Sequence, residues 1–297
     1  MMDGDTGKPV ILIAGPTASG KSALALRLAE ARRGIIVNAD SMQVYAELRI
    51  LTARPSAEDE ARAPHRLYGH RPAAEAYSVA AWLGEVAPMI AEARAGGPPL
   101  IIVGGTGLYF KALLEGLSPV PGIPDAIRAH WRAEAAAKGA AALHGILCER
   151  DPVMAGRLAP SDPQRIARAL EVLDATGLSL SQWQQREGER LLAAGEAGTL
   201  YVSPPRDTLY RRCDTRLDAM MKAGALDEVR QLQELRLDPA LPVMRALGVR
   251  PMLAHLSGAL DFEAALEQAK TETRHYAKRQ LTWARRNMIA WKHTLAQ

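Results

Sequence analysis

The sequence has few residues that could form covalent or metal cross-links. Its 297 residues include two cysteines, Cys148 and Cys213, which lie far apart and form no Cys-x-x-Cys pair. This spacing argues against a disulfide framework and against a zinc site. The seven histidines show no His-x₃-His or His-Glu-x-x-His pattern. Metal chemistry is therefore expected only through Mg²⁺ bound to a phosphate group.

Long apolar runs are also missing. No run reaches the roughly 18 apolar residues that a membrane-spanning helix needs. The first nine residues, MMDGDTGKP, carry neither the basic nor the apolar part of a signal peptide. We therefore expect a cytoplasmic protein without membrane association. The hydrophobic fraction of 48% suffices for one large or two medium domains.

The most informative motif lies near the N-terminus. Residues 15–22 read GPTASGKS and fit the phosphate-loop pattern G-x-x-x-x-G-K-[ST], between an apolar run and a helical run. Its two glycines allow successive N–H groups to face one anion, and the following helix adds positive potential. Lys21 is expected to reach the terminal phosphates and Ser22 to ligate Mg²⁺. The predicted site for a di- or triphosphate consists of Gly15, Pro16, Thr17, Ala18, Ser19, Gly20, Lys21 and Ser22.

Short β-type runs alternate with helical runs over the first part of the chain. Strands are predicted at Val10–Ala14, Ile35–Asn38 and 100–103, and helices at about 20–33 and 78–95. This rhythm predicts a parallel sheet with helices on both faces and a ligand site at the carboxyl ends of its strands. The loops at 15–22, 40–45 and 104–109 should therefore converge on one cleft.

The composition changes near residue 119. Three prolines and a glycine between 119 and 124 form a linker, and Ala- and Arg-rich helical sequence follows. The predicted fold is α/β, a phosphate-loop (P-loop NTPase-like) parallel sheet core with an inserted helical subdomain. The core would comprise 1–118 and 197–297 and the insertion 119–196. A strand is expected at 199–203 and a long final helix at about 261–291.

Positive charge is concentrated at the C-terminal end. Residues 271–297 carry six cations against the single acid Glu272, so this segment alone exceeds the net charge of +4 of the whole chain. Arg274, Lys278 and Arg285 fall on one stripe of the predicted helix. This stripe is either a solvated helix face or a contact surface for nucleic acid.

An acid is missing where a nucleotide hydrolase or kinase would need it. The strand at 100–103 ends in Gly-Gly-Thr-Gly, whereas such enzymes usually place an Asp at a later strand end to hold Mg²⁺. Asp40 follows the second strand instead. Phosphate repels a carboxylate, so Asp40 is expected to accept a proton or hydrogen bond from a second substrate. The alternative is that Asp40 only caps a turn.

With these motifs in order, the chain resembles the tRNA dimethylallyltransferases (tRNA isopentenyltransferases, or IPP transferases) almost from end to end. The resemblance rests on residues 15–22, 40–45, 64–65, 104–113, 161–165, 168–171 and 273–283. It implies transfer of a dimethylallyl group from dimethylallyl diphosphate to N6 of adenosine 37, adjacent to the anticodon in tRNA, with release of diphosphate. The loop is of the nucleotide- and ATP-binding type, but on this reading it holds the diphosphate of the prenyl donor and needs no ATP.

The resemblance also implies residue roles. Asp40, Thr106 and Arg212 would be catalytic, with Arg211 as the competitor for the place of Arg212. Contacts to tRNA would come from Asp40, Ser41, Met42, Gln43, Thr106, Arg128, Ser161, Asp162, Pro163, Gln164, Arg165, Arg245, Ala246, Leu247, Gly248, Val249, Arg250, Arg274 and Lys278. The helical insertion would grip the anticodon stem-loop, Mg²⁺ would be the cofactor, and the protein is expected to be a monomer.

The chain departs from the family pattern at three positions near the cleft rim. Arg49 replaces an acid, Leu51 replaces a glycine, and Gly69 replaces an Asp. These changes leave the shape of the prenyl pocket open. Two alternative functions also stay open at this point, a small-molecule kinase and a prenyltransferase acting on free adenine nucleotides.

Overall fold

The computed structural model describes residues 7–193 and 195–295, and its contacts divide the chain into two units. The first unit contains the described residues up to Leu114 and from Leu191 onwards, and the second unit is Glu115–Arg190. The sequence-based boundaries were 118/119 and 196/197. Residues 191–193 and 195–196 join the first unit because the N–H groups of Leu191 and Leu192 donate to the carbonyl of Leu113, and Leu192 is buried in the sheet core.

Six parallel strands form the centre of the first unit. The strands are β1 (Val10–Ala14), β2 (Ile35–Asn38), β3 (His65–Arg66), β4 (Leu100–Gly104), β5 (Gly198–Val202) and β6 (Lys292–Thr294). Their order across the sheet is β3-β2-β4-β1-β5-β6, and every pairing is parallel. β1 therefore lies between β4 and β5, and the loops that follow these neighbouring strands meet at one sheet edge.

Helices cover both faces of this sheet. In the first half of the chain they are α1 (Lys21–Arg32), α2 (Ala57–Arg62), α3 (Val79–Arg94) and α4 (Gly107–Glu115). Alternate strand residues point to opposite faces. Leu12 and Ile102 pack with Trp82 of α3, whereas Ile13 and Ile101 pack with α1. The near-continuous apolar strands are thus explained by burial on both sides.

The regular secondary structure of the second unit is entirely helical within its described residues. It contains α5 (Asp125–Arg150), α6 (Pro152–Ala155), α7 (Pro163–Thr176) and α8 (Leu180–Trp183). α5 is interrupted at Gly139, where φ is 77°. The core of this unit consists of apolar side chains from two helices, including Trp131, Leu143 and Leu147 of α5 and Ile166 and Leu170 of α7.

The last part of the first unit adds α9 (Arg206–Lys222), α10 (Ala225–Glu234), a 3₁₀ turn (Pro242–Arg245), α11 (Val249–Leu256) and α12 (Phe262–Asn287). α12 ends four residues before the predicted end at 291. Met288 and Trp291 are buried in the sheet core, and the chain between them turns back so that Lys292–Thr294 can pair with β5. No helix within the described residues is both long and apolar enough to cross a membrane.

Candidate active site

The phosphate loop joins β1 to α1 with little space around its backbone. A Cβ on Gly15 would lie 2.5 Å from the carbonyl oxygen of Val202 and 2.8 Å from the Ser19 hydroxyl oxygen. Gly20 caps α1 with a φ of 91°, a left-handed conformation that glycine adopts without strain. The first N–H groups of α1 have no partner within the helix, so they can bind an anion. The eight predicted residues form one continuous segment between β1 and the first turn of α1.

Lys21 is the first residue of α1, and its pKa is lower than the ordinary value of a lysine. Its Nζ donates to the carbonyl of Pro16 at 3.3 Å. Desolvation of the ammonium group is the main cause that lowers the pKa of Lys21 to about 8; the charge of Asp40 opposes this shift, and that of Arg216 adds to it. A bound anion would favour the charged lysine, so phosphate binding and protonation of Lys21 are coupled.

Asp40 lies directly after β2 and is held by its neighbours. Its N–H donates to the side chain of Asn38 at 2.8 Å, and Asn38 donates back to the Asp40 carbonyl at 2.9 Å. One carboxylate oxygen, Oδ1, accepts the N–H of Met42 at 3.0 Å. The other oxygen, Oδ2, lies 3.4 Å from the position a Cβ would take on Gly105. Asp40 thus caps a turn with one oxygen and presents the second to the loop after β4.

Thr106 connects the loops that follow β2 and β4. Its hydroxyl oxygen accepts the N–H of Ser41 at 3.0 Å, and its hydroxyl donates to the Ser41 hydroxyl at 3.4 Å. Its own N–H donates to the carbonyl of Ala39 at 3.3 Å. The predicted partners Asp40 and Thr106 are therefore brought to the same edge of the sheet.

Gln280 of α12 connects the phosphate loop to the loop after β4. Its side-chain oxygen accepts the N–H of Thr17 at 2.9 Å, and its amide donates to the carbonyl of Gly105 at 2.9 Å. Gln280 falls within the final helix predicted from the sequence, and no role was assigned to it from the sequence. Its helical position indicates burial but not which loop it contacts.

Arg216, which was not among the site residues predicted from the sequence, contacts the phosphate loop; the sequence favoured Arg212, with Arg211 as its competitor. Arg216 donates a hydrogen bond to the Thr17 hydroxyl. Arg211 and Arg212 are exposed and lie outside the cavity lining. The buried face of α9 includes Leu209, Cys213, Leu217 and Met220. The helix rotation set by these residues turns Arg216 inward, and desolvation lowers its pKa.

Thr17 of the phosphate loop, Asp40 and Arg216 line a cavity of about 240 Å³. Its polar and charged lining is Thr17, Asp40, Ser41, Thr52, Arg216, Arg245, Thr273, Tyr276 and Arg279, and its apolar and sulfur lining is Met42, Leu51, Cys213, Leu217, Met220 and Leu247. Burial, followed by the charge of Asp40, raises the pKa of Tyr276, which therefore stays a neutral phenol. The cavity combines three arginines, one carboxylate and an apolar wall.

A second cavity of about 390 Å³ borders the start of α1. Its lining includes Ser22, Gln43, Tyr68 and three arginines, Arg27, Arg54 and Arg62. No group of three or more His, Cys, Asp or Glu side chains able to hold a metal ion occurs within residues 7–193 and 195–295. Ser22 offers a single hard oxygen at the helix start. That fits Mg²⁺, which often takes one or two protein oxygens and completes its shell with phosphates and water.

The predicted RNA-contacting residues of the first unit fall into several environments. Ser41, Met42, Arg245 and Leu247 line the smaller cavity, Arg250 is exposed, and Ala246, Gly248 and Val249 are buried. The amide of Gln43 donates to the carbonyls of Thr52 and Ala53 at 2.8 and 2.9 Å. Gln43 is therefore used to hold two segments of backbone together.

The remaining predicted RNA contacts lie in the second unit. Asp162 caps α7 by accepting the N–H of Arg165 at 3.1 Å, and Pro163 occupies the first turn. Ser161, Gln164 and Arg165 are exposed. Arg128 is partly buried, with a buried Nε that has no hydrogen-bond partner within the described residues. Ser161, Gln164 and Arg165 are therefore accessible to a partner, and Asp162 has a capping role.

The basic face of α12 differs in detail from the predicted stripe. Lys278, Arg285 and Arg286 are exposed. Arg274 is partly buried and donates to both carboxylate oxygens of Asp214 at 2.8 and 2.9 Å, and to Glu267 at 2.8 Å. The sequence predicted the position of Arg274 on the stripe. Its N–H groups, however, already donate to Asp214 on α9 and to Glu267 on α12.

Comparisons with known proteins agree with this geometry. A family model described as IPP transferase matches residues 43–287, and one described as isopentenyl transferase matches residues 8–75. The tRNA dimethylallyltransferase of Methylocella silvestris is 54% identical over 278 residues, which cover 94% of this chain and 92% of that protein. That of Chelativorans sp. is 50% identical and covers 96% of this chain and 98% of the other.

Solved structures of tRNA isopentenyltransferases are also similar to this chain. The tRNA isopentenylpyrophosphate transferase of Bacillus halodurans superposes with a TM-score of 0.65 at 32% identity, over 93% of this chain and 86% of the other. A eukaryotic dimethylallyltransferase acting on tRNA superposes with a TM-score of 0.77 at 29% identity, over 93% and 69% of the two chains. The α/β fold with a phosphate-loop sheet core is confirmed by this similarity.

Proposed function

The chain belongs to the IPP transferase family, and on this basis we propose that it transfers a dimethylallyl group from dimethylallyl diphosphate to N6 of adenosine 37, adjacent to the anticodon of tRNA, and releases diphosphate. The observation that carries the proposal is that Thr17 of the phosphate loop, Asp40 and Arg216 line one cavity. A prenyl diphosphate needs an anion cradle, and an adenine amine needs a proton acceptor. The positions of Arg216 and Asp40 in the lining of the cavity support these two roles.

Asp40 is the proposed proton acceptor. In the reaction, the N6 nitrogen forms a bond to the first carbon of the prenyl chain while the bond from that carbon to the diphosphate oxygen breaks. The bonding electrons leave with the diphosphate, and one N6 proton passes to Asp40. The exocyclic amine is a weak nucleophile because its lone pair is delocalised into the ring, so loss of this proton assists the step. The position of Oδ2 near Gly105 supports this assignment.

Negative charge that develops on the departing diphosphate would be stabilised by Lys21, Arg216 and the N–H groups at the start of α1. Ser22 is the proposed protein ligand of Mg²⁺, which when bound to the diphosphate would neutralise part of that charge. Thr106 is proposed to hold the loop of Asp40 against the loop after β4, as its hydrogen bonds to Ser41 support.

The target base lies in a folded RNA loop, so it must be turned out of its stack to reach Asp40. We propose that residues 245–250 contact the RNA beside the cavity and that Lys278, Arg285 and Arg286 contact its phosphates. Exposure of these cations and the lining positions of Arg245 and Leu247 support the assignment. Arg128 and residues 161–165 of the second unit are proposed to bind the anticodon stem-loop.

The kinase and free-nucleotide alternatives receive no support from the relatives, whose names specify tRNA. In addition, β4 ends in Gly104-Gly105-Thr106, so the acid that kinases usually place at such a strand end is absent from this position.

The test is a comparison of acceptors. The protein is incubated with dimethylallyl diphosphate and Mg²⁺ together with bulk tRNA or with AMP, and the products are digested and analysed by mass spectrometry. We expect N6-dimethylallyladenosine in the reaction with tRNA and no prenylated product in the reaction with AMP. Prenylation of AMP at a comparable rate, or rapid tRNA-independent ATP hydrolysis in a parallel assay, would contradict the proposal.

A further inference from the structure

Glu228 of α10 holds the segment 49–51 by its backbone. Its Oε1 accepts the N–H of Arg49 at 2.9 Å and that of Ile50 at 2.7 Å, and its Oε2 accepts the N–H of Leu51 at 2.9 Å. Three consecutive N–H groups directed at one carboxylate form an anion-binding nest, and hydrogen bonds to a charged acceptor are stronger than neutral ones. The backbone at Leu51 is therefore fixed relative to α10.

The side chain of Leu51 is held from another direction. It is 6% exposed and belongs to the buried cluster that includes Leu217, Met220 and Val229. Its Cδ1 lies 3.1 Å from the position a Cβ would take on Gly248, where φ is +87°. Because Gly248 has no side chain, Leu51 can lie directly against the backbone at the start of α11. Leu51 is thus a rigid part of the cavity wall.

This wall belongs to the apolar part of the cavity. Leu51, Leu217 and Met220 line it, and Thr17, Asp40 and Arg216 provide the charged and polar part. The cavity volume of about 240 Å³ is below the roughly 300–1,000 Å³ typical of small-molecule sites. A small apolar group attached to a diphosphate matches this combination, and a longer chain would collide with the wall.

We propose that Leu51 limits the prenyl donor to a single isoprene unit and that Glu228 is the positioning residue that keeps Leu51 in place. This inference rests on the proposed function, because it concerns the donor of that reaction. Discrimination by a rigid apolar wall is about 10–200-fold for one methylene group, so truncation of Leu51 should have a measurable effect.

The experiment compares two donors that differ by one isoprene unit. Single-turnover transfer to tRNA is measured with dimethylallyl diphosphate and with geranyl diphosphate, and each product is identified by mass. Leu51→Ala should raise the ratio of geranyl to dimethylallyl transfer at least about tenfold over the parent. The control Leu253→Ala removes a partly buried leucine that packs on the same cluster but is not part of the cavity lining, and it should keep the parental ratio.

Glu228→Gln tests the positioning role separately. Glutamine retains one acceptor oxygen without the charge, so we expect the ratio to rise, but less than in Leu51→Ala. Glu234→Gln, an exposed position on α10, should leave the ratio unchanged. A general loss of stability would slow transfer from both donors together, so the ratio distinguishes positioning from a merely structural role.

Two results would overturn the inference. One is a folded Leu51→Ala protein that transfers dimethylallyl but gains no geranyl transfer, and the other is an equal gain in Leu253→Ala. If Leu51→Ala does not fold, Leu51→Val is used instead because it removes less of the side chain. A higher ratio of geranyl to dimethylallyl transfer than in the parent supports the inference, and an unchanged ratio overturns it. A parent protein that transfers no dimethylallyl group to tRNA would instead overturn the proposed function.

Discussion

The side-chain oxygen of Gln280 accepts the backbone N–H of Thr17 at 2.9 Å across 263 residues of sequence. This bond joins the last long helix to the phosphate loop. The same side chain donates to the carbonyl of Gly105, so one residue ties together the loops that follow β1 and β4. The conformation of the phosphate loop thus depends on α12 as well as on the loop itself.

Replacing Gln280 with leucine should weaken diphosphate binding about tenfold, because two hydrogen bonds worth about 0.5–1.5 kcal/mol each are lost. Titration calorimetry with diphosphate and Mg²⁺ measures the change. Gln268→Leu, at an exposed position on the same helix, is the matched control and should bind like the parent. Equal affinities for all three proteins would show that the bridge does not support the cradle.

Arg216→Ala should slow single-turnover transfer by about 10²–10³-fold, the usual effect of removing a donor that stabilises developing charge. Arg212→Ala should stay within a few-fold of the parent because Arg212 is exposed outside the cavity. Both variants are measured with saturating tRNA and dimethylallyl diphosphate. A larger loss in Arg212→Ala than in Arg216→Ala would assign the leaving-group role to Arg212.

Diphosphate affinity should fall as the pH rises through about 8, because the pKa of Lys21 in the free protein lies near that value. The charged lysine is present below this pH and is lost above it. Lys21→Arg serves as the control. Arginine stays charged at these pH values, so the affinity of this variant changes only with the ionisation of diphosphate. Affinities measured from pH 6.5 to 9.5 should therefore diverge between the two proteins above pH 8, and parallel curves would contradict the assignment.

Asp40→Asn should slow transfer by about 10²–10⁴-fold with little change in tRNA affinity. Asparagine retains a side-chain oxygen that can accept the Met42 N–H, so the turn is preserved while the proton acceptor is lost. Rapid-quench single-turnover assays, with filter binding for tRNA, separate the two quantities. Transfer within a few-fold of the parent would leave Asp40 with only its capping role.

Removing Lys278, Arg285 and Arg286 together should make tRNA binding less dependent on salt. Each phosphate contact contributes about −0.7 to −0.9 to the slope of log affinity against log salt, so the triple variant should lose roughly two units of slope. Arg274→Ala should leave the slope unchanged and lower the melting temperature, because Arg274 pairs with Asp214 and Glu267. An unchanged slope in the triple variant would mean that this face is only solvated.

Much of the first unit could be predicted from local sequence. The strands β1 and β2, the phosphate loop and α1 were located because their signals, an apolar run, two glycines and a helical pattern, lie within a few residues of each other. The short strands β3 and β6 were not predicted. Their two and three residues carry no pattern of their own and become strands only by pairing with β2 and β5.

The sequence by itself determined the family, the parallel sheet, the eight-residue phosphate loop and the position of Asp40 after β2. The tertiary structure alone decided that Arg216 faces the loop instead of Arg212, that Gln280 bridges Thr17 and Gly105, and that Glu228 fixes Leu51. The physical reason is the range of the interactions. Loop and strand signals are set by neighbours in the chain, whereas the contacts of these three side chains depend on helix rotations that the packing of distant residues sets.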